Sequence, residues 1–592
     1  MTGAESTCSH NEETGHGQKK ASATATAEVH TDADTDATQS VGGLNALGDL
    51  RLDDLRDSAV ELWLQALRQP EVFARESAAF YAKLAKIIVR GDGGESAPSP
   101  DPRFGDSAWR NNGLYRRWLP AYQAWAQSLQ NFVDQAGLEP KQTGRAKFLM
   151  SQVTEALAPT NFLLGNPAAL KRAYESGGKS LLSGYQNWLS DVTARRPVPS
   201  QVDTRPFKVG DNLAATPGDV VLRTELFELL QFAPQTEQVH ERPILVIPSI
   251  INKYYAFDLA PGRSLLEYLV QNGFTLFVMV FRNPGKEHDS WGMDTYMDGM
   301  DEALQAVKSI SGCADPNVLA VCGAAPLAVT VAGHHEAMHS KSIGSMTLFV
   351  APLDCAAMND TPVLGDFNDP KLSKWTKVLP KKSDRISADE FTLLFAMLRP
   401  NDLIWNYWVN NYLMGEGPPA FDILAWNSDA TGMTAQYNRD FQAFCARNPL
   451  ATPGAMQYRD TPIADISKFG FDSLVIAART DHICPWPSVY RSAQMLGKRC
   501  DFLLGGRGHI QTIVAPPGGK KDFYFLNPDN TKDSDGWLAD AQRVYGSWWP
   551  YYVEWCAKRS GKMVAAPKKP GNKTHPSLGK APGTYVHEKA SS

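Results

Sequence analysis

A chain of 592 residues with 43% hydrophobic and 21% charged side chains has the make-up of a globular protein with room for two or more domains. Its net charge of −5, without a basic stripe, points away from nucleic acid as a partner. No apolar run reaches the roughly 18 residues of a membrane span, no basic-then-apolar leader opens the chain, and eight scattered cysteines form no CxxC; the expectation is a reducing cytoplasm without transmembrane segment, disulfide framework or zinc site.

Residues 1–45, rich in Thr, Ala, Asp, Glu and Ser, bury too little to offset ordering entropy and are expected to be a disordered tail. Residues 46–205 carry apolar side chains at three- and four-residue spacing, as in 59–67 and 148–153, which predicts a helical domain. Pro and Gly interrupt it near 97–105 and 158–168. From 206 to 560 short apolar runs alternate with helical stretches. The runs are 244–247, 276–281, 318–321, 346–350, 474–477 and 502–504. Uniformly apolar strands between helices predict a parallel sheet covered on both faces, hence an α/β fold. An aromatic-rich stretch at about 355–465 breaks the rhythm and is expected to be a cap insertion. Residues 561–592, with many Lys, Pro and Gly, are expected to be a solvated tail.

The chemistry centres on Cys322. The apolar run 317–321 ends at this cysteine and is followed by Gly323-Ala324-Ala325-Pro326, the strand–turn–helix setting of a nucleophile elbow. Asp481, in Arg479-Thr480-Asp481-His482, and His509, in Gly508-His509-Ile510, follow in the order nucleophile, acid, histidine of α/β-hydrolases. A thiol ionises little at neutral pH, so an imidazole is needed to take its proton. The backbone N–H of Gly323 is the expected first oxyanion donor, with a second from Ile250 or Ile251 after the run 244–247. Asp354 also follows an apolar strand, but Asp481 directly precedes the strand leading to His509. His482 is expected to point away from the site, and His334, His335 and His339 to be solvated or to cap a helix end. Trp426 is expected to pack in the cap.

Longer blocks resemble the polyhydroxyalkanoate synthases. They include Ile251-Asn252-Lys253-Tyr254-Tyr255, Phe281-Arg282-Asn283-Pro284, Arg399-Pro400-Asn401-Asp402-Leu403-Ile404-Trp405-Asn406-Tyr407, Asp481-His482-Ile483 with Pro485-Trp486, Gly546-Ser547-Trp548-Trp549-Pro550 and Ala581-Pro582-Gly583-Thr584-Tyr585-Val586. The resemblance spans about 55–590. It implies an α/β-hydrolase domain with a cap, preceded by a mainly helical N-terminal domain. It further implies a cysteine acyltransferase that polymerises (R)-3-hydroxyacyl-CoA, releases coenzyme A, uses Cys322, Asp481 and His509, and needs no cofactor or metal. The growing polyester, its granule surface in the cytoplasm and a second copy in a homodimer are the implied partners. The aspartate could orient the imidazole or activate the substrate hydroxyl. The family's G-x-C-x-G box reads Ala320-Val321-Cys322-Gly323-Ala324 here. Two other readings stay open on these residues: a thioesterase or polyester hydrolase, and a non-catalytic granule-associated partner.

Overall fold

The computed structural model describes residues 70–90, 101–138, 140–355 and 384–590. The expected disordered tail, and part of the expected cap at 356–383, lie outside the described residues. Five longer helices come first: α1 (Pro70–Arg90), α2 (Tyr115–Gln135), α3 (Pro140–Ala156), α4 (Pro167–Glu175) and α5 (Lys179–Thr193). The start of α4 is set locally. Asn166 accepts the Ala169 N–H at 3.0 Å, and Pro167 occupies the first position, where its missing N–H does no harm.

One eleven-stranded sheet follows. Its strands are β1 (Gly218–Arg223), β2 (Phe227–Phe232), β3 (Ile244–Ile247), β4 (Leu276–Phe281), β5 (Asn317–Val321), β6 (Ser345–Phe349), β7 (Asp472–Ala478), β8 (Cys500–Gly505), β9 (Phe523–Leu526), β10 (Gln542–Tyr545) and β11 (Gly579–Lys580). The spatial order is β10-β9-β8-β7-β6-β5-β3-β4-β2-β1-β11. The six strands from β4 to β8 in that order are parallel, and they contain the six apolar runs read from the sequence. The outer strands, which the sequence reading did not single out, are antiparallel.

Alternation along β3 divides the core. Leu245 and Ile247 join one apolar cluster with α6 (Met293–Ser311) and α7 (Ala325–Ala337); Ile244 and Val246 join another with Trp549 and Tyr552. Strand order reverses around β3, because β4 lies on one side of it and β5 on the other. The loops leaving β3 and β5 therefore part over a crevice at the strands' carboxyl ends, the usual place for a site in such sheets.

Above that crevice lie cap helices α8 (Ala388–Leu398) and α9 (Ala435–Arg447) with two π-helical turns, Asn401–Trp405 and Trp408–Leu413. The N-terminal helices pack on this cap. The Asn187 amide donates to the carbonyl of Asn411 at 3.0 Å, Tyr412 donates its hydroxyl to Asp191 at 2.7 Å, and the Trp408 indole donates to Asn161 at 2.9 Å.

The C-terminal stretch is not a solvated tail, contrary to expectation. Met563–Ala565 pairs with Gln238–His240, β11 pairs with β1, and Tyr585 and Val586 are buried. The Glu228 carboxylate, fully buried, accepts the N–H groups of Thr584 and Tyr585 at 2.7 and 2.9 Å. Lys253, also buried, donates to the carbonyl of Glu588 at 2.7 Å.

Candidate active site

Cys322 stands at the end of β5 with φ +49°, a left-handed backbone that a side chain adopts only when its surroundings impose it. The next residues make one tight turn, Cys322–Ala324, and enter α7. Both flanking alanines, Ala320 and Ala324, are fully buried. A Cβ on Gly323 would meet nothing within 4 Å, so space opens beside the sulfur on that side.

His509 opens the short helix His509–Ile513 after β8. The glycines before it permit close approach: a Cβ at Gly506 would strike the Phe523 ring. The His509 Nδ1 lies 2.6 Å from Asp481 Oδ2. The other carboxylate oxygen, Oδ1, accepts the N–H groups of Ile483 and Cys484 at 2.8 and 2.9 Å. Asp481 is thus held on both oxygens, with its side chain wholly buried. Burial would push the imidazole down, but the Asp481 carboxylate and the Cys322 sulfur outweigh it and raise His509 to about 10. Cys322 is drawn down to about 5, first by a hydrogen bond from the Cys484 thiol, against burial, and then by the hydrogen bond and charge of His509. Both shifts run in the direction that favours a thiolate beside an imidazolium. The three residues singled out in the sequence are brought together.

Cys322 separates two cavities of about 140 Å³ each. One also has Asn252, Arg399, Trp426, His482 and His509 on its walls. The other is almost entirely apolar, walled by Phe391, Phe395, Met433, Tyr437, Phe441 and Cys484. Gly323, Ile250 and Ile251 line the apolar cavity, and Ile251 reaches both.

The remaining expectations sort themselves by contact. His482 does not turn away; it lines the first cavity, where burial lowers it to about 4 and keeps the ring neutral. Asp354 is held by Asn448 and Arg491 at 2.8 Å each and is a packing carboxylate. His335 is neither solvated nor a cap, since its Nε2 lies 2.9 Å from Asp301 on the neighbouring α6. Trp426 packs, donating to the Lys253 carbonyl at 2.9 Å, and also lines the first cavity. The cap aromatics Phe391, Phe395 and Tyr437, and the thiol Cys484, were not singled out from sequence. Only the cap's aromatic richness hinted at the first three. Among the described residues no group of three or more His, Cys, Asp or Glu could hold a metal ion, and no helix is long and apolar enough to cross a membrane.

Residues 100–269 match the family described as Poly-beta-hydroxybutyrate polymerase (PhaC) N-terminus, and residues 242–516 match the alpha/beta hydrolase fold. Over 543 residues the chain is 42% identical to Poly(3-hydroxyalkanoate) polymerase 2 of Ectopseudomonas oleovorans, covering 92% of this chain and 96% of that one. It is 40% identical to polymerase 1 of the same organism over 553 residues, 93% and 98% of the two chains. To the Poly(3-hydroxyalkanoate) polymerase subunit PhaC of Cupriavidus necator it is 35% identical over 517 residues, 86% and 87% of the two chains. With an elbow cysteine, an aspartate-held histidine and this likeness along nearly its whole length, the chain belongs to the poly(3-hydroxyalkanoate) polymerase family and is an enzyme of the acyltransferase type.

Proposed function

We propose that the enzyme joins (R)-3-hydroxyacyl units from coenzyme A thioesters into a polyester through an acyl group carried on Cys322. The observation that carries this reading is the left-handed elbow of Cys322 beside an imidazole held at 2.6 Å by Asp481. The Cys322 thiolate attacks the thioester carbonyl, and the carbon–sulfur bond to coenzyme A breaks. His509, protonated, gives its proton to the departing thiolate. The neutral imidazole then takes the proton of a 3-hydroxyl, whose oxygen attacks the acyl enzyme, and the electron pair of the breaking bond returns to Cys322. Asp481, with both oxygens engaged by His509 and by backbone N–H groups, suits the orienting role better than a direct attack on the hydroxyl proton. The N–H groups of Gly323 and of Ile250 or Ile251 would stabilise the oxyanion, each worth about 3–4 kcal/mol of barrier.

Sulfur suits polymer growth. Exchange between two thioesters is close to balanced, so loading is reversible, whereas transfer from thioester to alcohol runs downhill. The cavity that carries Asn252, Arg399 and His482 suits the pantetheine arm, and the almost entirely apolar one suits the acyl group and keeps water from the thioester. The same reading includes a homodimer and attachment to the growing granule. An exposed apolar stripe on α5, formed by Leu182, Tyr185 and Leu189, supports such a contact surface.

The test is direct. Purified protein given a 3-hydroxyacyl-CoA is expected to release free thiol and turn turbid, and Cys322→Ala is expected to lose both. Release of soluble hydroxy acid in place of polymer would overturn the reading.

A further inference from the structure

Gln201 stands on the wall of the first cavity, together with Cys322 and His509, and the cycle above gives it no part. It comes from outside the elements that build the elbow, in the segment 194–217 that joins α5 to β1. The backbone on either side of it is held. The Ser200 N–H donates to Asp191 Oδ2 of α5 at 2.8 Å, and the Ser200 carbonyl accepts from the Asn411 amide of the second π-helical turn at 2.6 Å. The Asp203 N–H donates to the Pro419 carbonyl at 3.0 Å. The helical layer and the cap thus fix one glutamine at the cavity of the nucleophile.

Those anchors hold the backbone and leave the carboxamide oxygen unpaired. Gln201 is 7% exposed, and its Oε1 is buried with no hydrogen-bond partner among the described residues. A buried carbonyl oxygen without a donor costs free energy, so a ligand that brings a donor gains by meeting it. The oxygen accepts and cannot donate, so that ligand must carry an N–H or an O–H. The terminal torsion of glutamine is soft, and turning it swings the oxygen toward a group in the cavity. Esters and thioesters offer acceptors alone. The pantetheine arm of coenzyme A, which runs back from the thioester sulfur, carries amide N–H groups. The acyl group with its 3-hydroxyl falls to the apolar cavity on the other side of Cys322, whose walls do not include Gln201.

We propose that Gln201 is a substrate-binding residue: its Oε1 accepts a hydrogen bond from an amide N–H of the pantetheine arm. The inference rests on the proposed cysteine cycle and on the first cavity being its coenzyme A side. The bond forms when a thioester arrives and is lost when coenzyme A leaves. A polyester has no N–H along its backbone, so the finished chain cannot replace the arm at Gln201. The contact therefore favours an incoming unit over a stretch of product in the same cavity. It is made equally before and during attack on the carbonyl, because the amide lies away from the reacting atoms. Its loss should accordingly raise KM and leave kcat little changed.

The experiment uses the full chain with Gln201→Leu, which keeps the bulk and removes the polar atoms; should that variant not fold, Gln201→Met takes its place. The first readout is turnover with 3-hydroxyacyl-CoA. KM is expected to rise about five- to tenfold, the worth of one hydrogen bond, with kcat within about twofold of the parent. The second readout is alkylation of Cys322 by iodoacetamide, with Cys322→Ala as the blank for other thiols. S-methylpantetheine, which has the amides but no acyl group, is expected to protect the parent, and half-protection of Gln201→Leu should need about five to ten times as much. The third readout is the urea midpoint, expected at or above the parent's because an unpaired buried oxygen has been removed. A KM like the parent's overturns the proposal, as does a parent that S-methylpantetheine leaves unprotected. A raised KM with unchanged protection also overturns it, since the oxygen would then meet the substrate hydroxyl. A lower urea midpoint assigns Gln201 a structural role and overturns it too. Full activity in Cys322→Ala would instead overturn the cysteine cycle itself.

Discussion

Ala320 and Ala324 stand where the family box has glycine, and the structure explains why the elbow tolerates them. The left-handed backbone falls on Cys322, whereas Ala324 is helical at φ −81° and Ala320 lies within a strand. The flanks need small volume, not glycine's freedom, and a methyl meets that need. What remained illegible at this scale was Cys484: a buried cysteine carries no outward mark of its neighbour, and nothing in the spacing of 322 and 484 says that the two line one cavity. The electrostatics predict a pH profile. Below about 5 Cys322 takes up its proton and ceases to be a nucleophile, and above about 10 His509 loses the proton that leaving coenzyme A requires. The rate constant kcat/KM for thiol release is therefore expected to be level between those limits and to fall about tenfold per pH unit on the acid side. Initial rates across the range check it. An acid limb centred near about 8.5, the value of a lone thiol, would mean that no ion pair forms.

Among elements, the central strands were readable because both faces are covered, so every residue in runs such as Ile244–Ile247 is apolar. β1 and β2 were missed because buried polar groups interrupt them. Asp219, Glu228 and Gln231 are all buried there and bind the C-terminal stretch or its neighbours. The helical layer and the cap meet through tight backbone approaches that sequence could not announce, at Gly184 and at Gly415. A Cβ on Gly184 of α5 would drive into the Tyr412 carbonyl of the second π-helical turn. Gly184→Ala is expected to lower stability by about 1–3 kcal/mol through overpacking, read as a lower urea midpoint. Loosening of the cap should also appear as faster proteolysis near residue 412. An unchanged midpoint would mean that the two layers separate freely.

At the scale of the molecule, lysine, proline and glycine masked a C-terminal stretch that closes the sheet. Its anchors include, besides the strand pairings, the Tyr585 ring under the Arg282 guanidinium at 4.1 Å, and Lys253 and Glu228, which bind its backbone. Burial pushes the Lys253 ammonium down to about 8, and carbonyls of this stretch are what it donates to. A chain ending at residue 578 leaves Glu228 and Lys253 without those partners. The expected loss is about 3–5 kcal/mol, measured by chemical denaturation; a parent-like midpoint would deny the stretch any part in holding the sheet. The pairing of β11 with β1 has a further result in time. A ribosome releases residues 579–580 more than 350 positions after β1 emerges, so the sheet keeps an open border until that stretch is made. Such a border invites strand pairing with other nascent chains until those residues arrive.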